Sequence, residues 1–250
     1  MNEFPPPAAG PTESAPPPSA VAVIASVFYA PVQAFEALRA RPRWWLALAI
    51  LVLTSLAVQL AVLRHLDMAG TVRERMEAAA RGRAVSEADV ERAVEQGQKF
   101  APVGAVAGAL AAPVVFLLLG GVYFLGLKLA GSQAEFKPVF ATTLHATLPP
   151  AVVSSALTAV VVAQKGTMTA NEMGRAVKSN LGAFLSPQAP AALRSAAEVL
   201  DVFNLWTWVL LAIGLSITGG IPRARAATVV AVCLLYTSDA ADDLLCVDLG

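Results

Sequence analysis

Cysteine is absent from the first 232 residues, since the chain's two cysteines are Cys233 and Cys246. That removes a disulfide framework, a thiolate metal site and a thiol nucleophile from consideration. Histidine is almost as scarce, with only His65 and His145, too few for a histidine-rich metal centre. Charged residues make up only 14% of the chain. No HExxH, GxSxG or GxxxxGK[ST] pattern occurs, which leaves zinc hydrolysis, a nucleophile elbow and a phosphate loop without a motif. Carboxylates are missing from the apolar runs, apart from Asp201 at the entrance of the last full one, so intramembrane aspartate chemistry has no pair to use. The expectation is a non-enzymatic protein with no cofactor, no metal and no nucleic-acid partner.

What the chain has instead is length of apolar sequence. Residues 44–63, 102–127, 138–163 and 202–219 are nearly charge-free, and each is long enough to cross a bilayer: about twenty residues rising 1.5 Å each match a hydrocarbon core of roughly 30 Å. With 56% hydrophobic residues and a mean hydropathy of +0.62, a soluble chain of this size would be left with far too much apolar surface. The fold class is therefore all-α, a polytopic transmembrane helix bundle with interfacial and loop helices, and its first partner is the lipid bilayer.

The two ends read differently. Residues 1–20 form a Pro/Ala-rich tail expected to be disordered and solvated, without the basic start and apolar core of a secretory signal. A fifth apolar run begins at Ala226 and stops after about ten residues, ~15 Å of helix, too short to span. From 233 to 250 the sequence resembles translated sequencing-adapter read-through and is set aside as non-native, leaving a membrane domain over 21–232 whose fifth span is truncated. Without the tail's Asp239, Asp242, Asp243 and Asp248 the balance is 18 basic against 14 acidic residues, a mildly basic protein.

Between these ends several local signals stand out. Val21, Ile24, Phe28, Val32, Phe35 and Leu38 recur at three- and four-residue steps, which predicts a helix lying on the membrane surface, with Pro31 in a first turn and Pro42 at its end. Arg39, Arg41 and Arg43 beside Trp44 and Trp45 suit the headgroup boundary. Ser86 with Asp89 three residues on, and Val85 placed against Val90, mark a solvated helix over 87–98. A second loop helix is expected over 190–200. Gly104, Gly108 and Ala112 on the second span, and Ala151, Ser155, Ala159 and Ala163 on the third, give small-residue faces on which helices can pack, within one chain or between chains.

The third span carries the main irregularity, His145 followed by Pro149 and Pro150, with Thr142, Thr143, Ser154 and Ser155 around it. Two prolines remove two backbone donors and free the carbonyls of His145 and Ala146. Such a break either shapes the bundle or lines a solute or ion pathway, with His145 as a proton relay.

The stretches FYAPVQAFEALRARPRWWLALAI, GGVYFLGLKLAG and LDVFNLWTWVLLAIGLSITGGIPRARA, the last with Asp201, Phe203, Trp206 and Gly214, resemble the bacterial branch of the Yip (Ypt-interacting protein) domain family. The resemblance covers about residues 28–232. It implies five transmembrane helices, a cytoplasmic N-terminus and no catalytic residue. Eukaryotic members of that family bind Rab-type GTPases and one another. The bacterial branch lacks that machinery, so the role does not carry over; the Ala-, Pro- and Arg-rich usage suits a high-GC bacterium and its inner membrane, and the surface helix and small-residue faces make the leading expectation a scaffold or adaptor with a membrane-protein partner or self-association. The alternative is a transport component built on the third helix. Reporter fusions after Ala20, within residues 64–99, after Gly131, after Gln164 and after Arg225 are expected to give alternating signals that start inside; any other order overturns this topology.

Overall fold

The computed structural model describes residues 18–80, 83–174, 177, 179–186, 193, 197 and 199–245, with side chains up to residue 234 apart from 183 and 184. The N-terminal tail before residue 18 and most of the expected helix over 190–200 lie outside the described residues. Nine α-helices are described: α1 (Ala20–Tyr29), α2 (Pro31–Ala40), α3 (Trp45–His65), α4 (Met68–Ala80), α5 (Glu87–Leu129), α6 (Phe136–Lys165), α7 (Ala170–Gly174), α8 (Val202–Gly219) and α9 (Arg223–Leu245). A short 3-10 turn covers Leu181–Phe184, and no strand is formed among the described residues.

Four of these helices, α3, α5, α6 and α8, are long and apolar enough to cross a membrane. They alternate in direction, so the start of α3, the ends of α5 and α8 and the start of α6 share one face of the bundle, here called the proximal face. The backbone of α9 stays helical to Leu245, well past the apolar run, yet α9 is not among the four.

Two differences from the sequence reading concern helix boundaries. The loop helix expected over 87–98 does not stop before Pro102; α5 runs unbroken from Glu87 to Leu129 through Pro102 and Pro113. At Pro102 the carbonyl deprived of its donor belongs to exposed Gln98, where water can serve it. The helix is about 65 Å long, roughly twice the hydrocarbon core, so its first third projects from the distal face. Ser86 does hold the N-cap position, but its hydroxyl makes no capping bond, and only its carbonyl accepts, from Asp89 and Val90.

That projection packs against α4. Arg73 of α4 grips Glu87 through paired bonds of 2.8 and 2.6 Å, and this bonding holds the Glu87 carboxyl below its ordinary range. The loops after α3 and α6 also join: Met168 N–H donates to the His65 carbonyl (2.9 Å), Asp67 N–H to the Met168 carbonyl (2.8 Å), and Ala170 N–H to the Thr71 hydroxyl (3.0 Å). Val162, Met168 and Met173 close a small apolar cluster beneath them.

A third difference is larger. The N-terminal element is two helices rather than one, and it does not lie flat. Arg43 donates to the Pro18 carbonyl (2.9 Å), which puts the start of α1 beside the end of α2. Along α8, Arg39 lies by Gly220, Phe35 by Gly214 and Phe28 by Trp206. The pair is therefore a hairpin inserted from the proximal face. Phe35 and Leu38, expected on a membrane surface, are 0% exposed in the main core, whereas Val21, Phe28 and Val32 of the same periodic set face outward.

Close helix approach occurs at particular glycines. A Cβ built on Gly214 would sit 2.5 Å from Thr142 Cγ2 and 3.0 Å from the Phe35 ring, and one on Gly120 would sit 2.9 Å from Phe140. Gly214→Ala is expected to destabilise the bundle by about 1–3 kcal/mol through overpacking. Gly104→Ala, with nothing within 4 Å, should be neutral or stabilising by up to about 1 kcal/mol. Thermal unfolding of the two variants in detergent, followed by far-UV circular dichroism, checks the contrast.

Candidate functional site

The polar residues of the spans gather where α6 crosses α8. Thr142, Thr143 and His145 of α6 and Thr218 of α8 are all buried, and His145 is 2% exposed. In hydrocarbon each donor needs a partner inside the protein. Most find one on their own helix, four residues back: Thr143 donates to the Val139 carbonyl (3.0 Å), Thr147 to Thr143 (2.9 Å) and Thr218 to Gly214 (2.9 Å), while His145 Nδ1 lies 2.8 Å from the Ala141 carbonyl. Ser154 bonds to the Ala151 carbonyl (3.1 Å). The link across the interface is Thr142 Oγ1 to Thr218 Oγ1 at 3.4 Å. No fully buried side-chain nitrogen or oxygen among the described residues lacks a partner.

The expected break in the third span does not interrupt the helix, since α6 remains helical from Phe136 to Lys165 with Pro149 and Pro150 both buried. The hydrogen-bond ladder on either side and the packing of α6 on α3 and α8 hold it together. Two cavities formed by described residues, one between α3, α5 and α6 and one between α4 and the start of α5, are lined by neither His145 nor Pro149 nor Pro150. No group of three or more His, Cys, Asp or Glu residues among the described residues could hold a metal ion.

The small-residue faces are placed unevenly. Gly104 is exposed with nothing within 4 Å, Gly108 lies against the Gln59 amide, and Ala112 is half-buried. The α5 positions buried at this depth are their neighbours Ala105 and Ala109. On α6, Ala151 packs beside Leu51, Leu144 and Leu148, Ser155 is half-buried, and Ala159 and Ala163 are exposed.

Both ends of α8 are fixed by side chains. At the distal end Asp201 is the N-cap, accepting from Phe203 N–H (2.7 Å) and Asn204 N–H (3.3 Å) and bonding the Ser179 hydroxyl. Its carboxylate answers the helix's unpaired donors and its dipole. Phe203, two residues after the cap, is half-buried, and Trp206 meets Phe28 edge-on at 6.2 Å. At the proximal end Gly220 takes the left-handed conformation (φ 63°), Ile221 N–H returns to the Ser216 carbonyl (3.2 Å), and Pro222 prevents continuation. The end of α5 turns in the same way at Gly131, with Ser132 N–H on the Leu127 carbonyl (2.9 Å). Ser132 then donates its hydroxyl to the Gly219 carbonyl at 2.5 Å, joining the two helix ends.

Sequence reasoning singled out Asp201 and Gly214 but not Ser132, Ser179, Thr218 or Gly220. Glycine followed within two residues by proline at 220–222 was the readable signal for the last of these. The Yip1 domain family model matches residues 25–237 of the chain. No curated protein and no solved structure matches it. Asp201→Ala is expected to destabilise α8 by about 1–2 kcal/mol and Asp201→Asn by less than half of that. Amide hydrogen exchange at Phe203 and Asn204 should rise accordingly.

Proposed function

Because the chain belongs to the Yip1 domain family, we propose that it is a non-enzymatic scaffold or adaptor that organises partners within a membrane. The observation that carries this reading is the internal use of polar groups: the buried Thr and His side chains of α6 and α8 are committed to helix carbonyls and to one another, in a packed interface. A scaffold needs a firm bundle with surfaces left over, and the exposed face of α5 around Gly104 is such a surface, suited to a membrane-protein partner or a second copy.

The orientation we assign is N-terminus cytoplasmic, in the inner membrane of a bacterium. It is supported by Arg39, Arg41, Arg43, Lys128, Lys137, Arg223 and Arg225, which lie at the proximal face in short segments with few acids. The distal segments mix Lys and Arg with about as many Asp and Glu. In the native protein the run that begins at Ala226 would continue as a fifth span, in a sequence other than the one found here from 233 to 250.

A photo-crosslinker at position 104 in native membranes should yield a reproducible adduct with a membrane protein or with a second copy. Recovery of none in repeated preparations would sink the scaffold reading. The second reading, a small-solute or ion pathway along α6, has one feature in its favour, an ionisable side chain deep in a span at His145. It requires solute flux in proteoliposomes that His145→Ala abolishes.

A further inference from the structure

The proximal half of the bundle carries a groove of about 490 Å³ between α3, α5 and α6, bordered by Trp44, Leu48, Pro113, Leu117, Lys137 and Phe140. Its size falls within the roughly 300–1,000 Å³ of small-molecule sites. Its wall is aromatic: Phe136 stacks on Phe140 (5.7 Å, 13°), Trp44 tilts against Phe140 (5.8 Å), and Phe124 meets Phe136 edge-on (5.7 Å).

The groove's length can be read from the helix register. Phe140 lies against Gly120 and Phe136 against Phe124, so the lining runs from the level of Phe124 down to Pro113. Eleven residues of helix are ~16 Å, and one leaflet is about half of the ~30 Å hydrocarbon core. The groove is thus as deep as one leaflet.

Charge marks its mouth. Lys137 borders it directly, and Lys128 Nζ stands 5.3 Å over the Phe124 ring, which in turn touches Phe136. Between the two lysines the chain has one acid, exposed Glu135. Trp44, the N-cap of α3, lies against Phe140, three residues along α6 from Lys137, as an aromatic residue does near the headgroup boundary. Apolar depth of one leaflet beneath paired cations is the shape of a phospholipid with one tail seated and an anionic head. We infer that this groove binds one acyl chain of a proximal-leaflet phospholipid whose anionic headgroup pairs with Lys128 and Lys137.

The test uses the full chain in detergent, titrated with phosphatidylglycerol and with phosphatidylcholine of the same acyl chains and read by native mass spectrometry. One phosphatidylglycerol should be retained in preference to phosphatidylcholine. Lys128→Gln and Lys137→Gln should each weaken phosphatidylglycerol about fivefold, on the scale of one cation near a membrane surface, and leave phosphatidylcholine unchanged. Leu117→Trp, at a half-exposed position, should fill the groove and weaken both lipids. Inorganic phosphate, which has the charge without the chain, should not compete. Equal retention of the two lipids, full competition by phosphate, wild-type binding by Leu117→Trp, or a dimer that excludes lipid would each overturn the inference. A measurement on the unaltered groove guards against misfolded variants: in phosphatidylcholine vesicles, phosphatidylglycerol brominated on its acyl chains should quench Trp44 more than brominated phosphatidylcholine at equal mole fraction, and Trp44→Phe should remove the excess. Equal quenching by the two would also overturn it.

Discussion

Hydrocarbon offers no hydrogen-bond partner, and every feature of the bundle's centre answers to that. Backbone groups are satisfied by making helices, and helix ends by glycine turns and an aspartate cap. Side chains of Thr143, Thr147, Thr218 and His145 turn back onto carbonyls of their own helices. The two prolines in α6 subtract donors rather than strand them, and the helix stays continuous on either side of them.

The same constraint explains the division of the molecule. At the proximal face Ser132 ties the end of α5 to the end of α8, and Leu127 packs against Gly219. The distal face extends as the α4–α5 hairpin, held in part by the exposed Arg73–Glu87 ion pair, which salt can screen.

What sequence could reveal followed from which signals survive in a membrane. Length of apolar sequence is such a signal, and the four spans were legible from it to within a few residues, apart from the start of α5, where Pro102 reads as punctuation but is not. Inside against outside is not such a signal. Lipid tails are as apolar as leucine, so the repeat containing Val21, Phe28, Phe35 and Leu38 looks the same whether it faces lipid or protein. The structure buries the last two and exposes the first two. Small residues pose the same problem: Gly104 and Gly214 are alike in sequence, and only the presence of Phe35 and Thr142 opposite the second makes it a contact. Gln98, left without a donor by Pro102, could be excused only by knowing that water reaches it.

The inserted α1–α2 hairpin bears on the order in which the protein can be assembled. Its seat is made by Thr142 of α6 and by Trp206 and Gly214 of α8, and Gly214 is synthesised 179 residues after Phe35. At ribosomal rates of roughly 5–20 residues per second, the hairpin waits on the order of ten seconds or more before its partner helix exists. During that interval its apolar face must rest against lipid or a chaperone, and its docking completes the bundle. The hairpin leaves the ribosome before the helices that seat it, and it can reach its place only after they have been made.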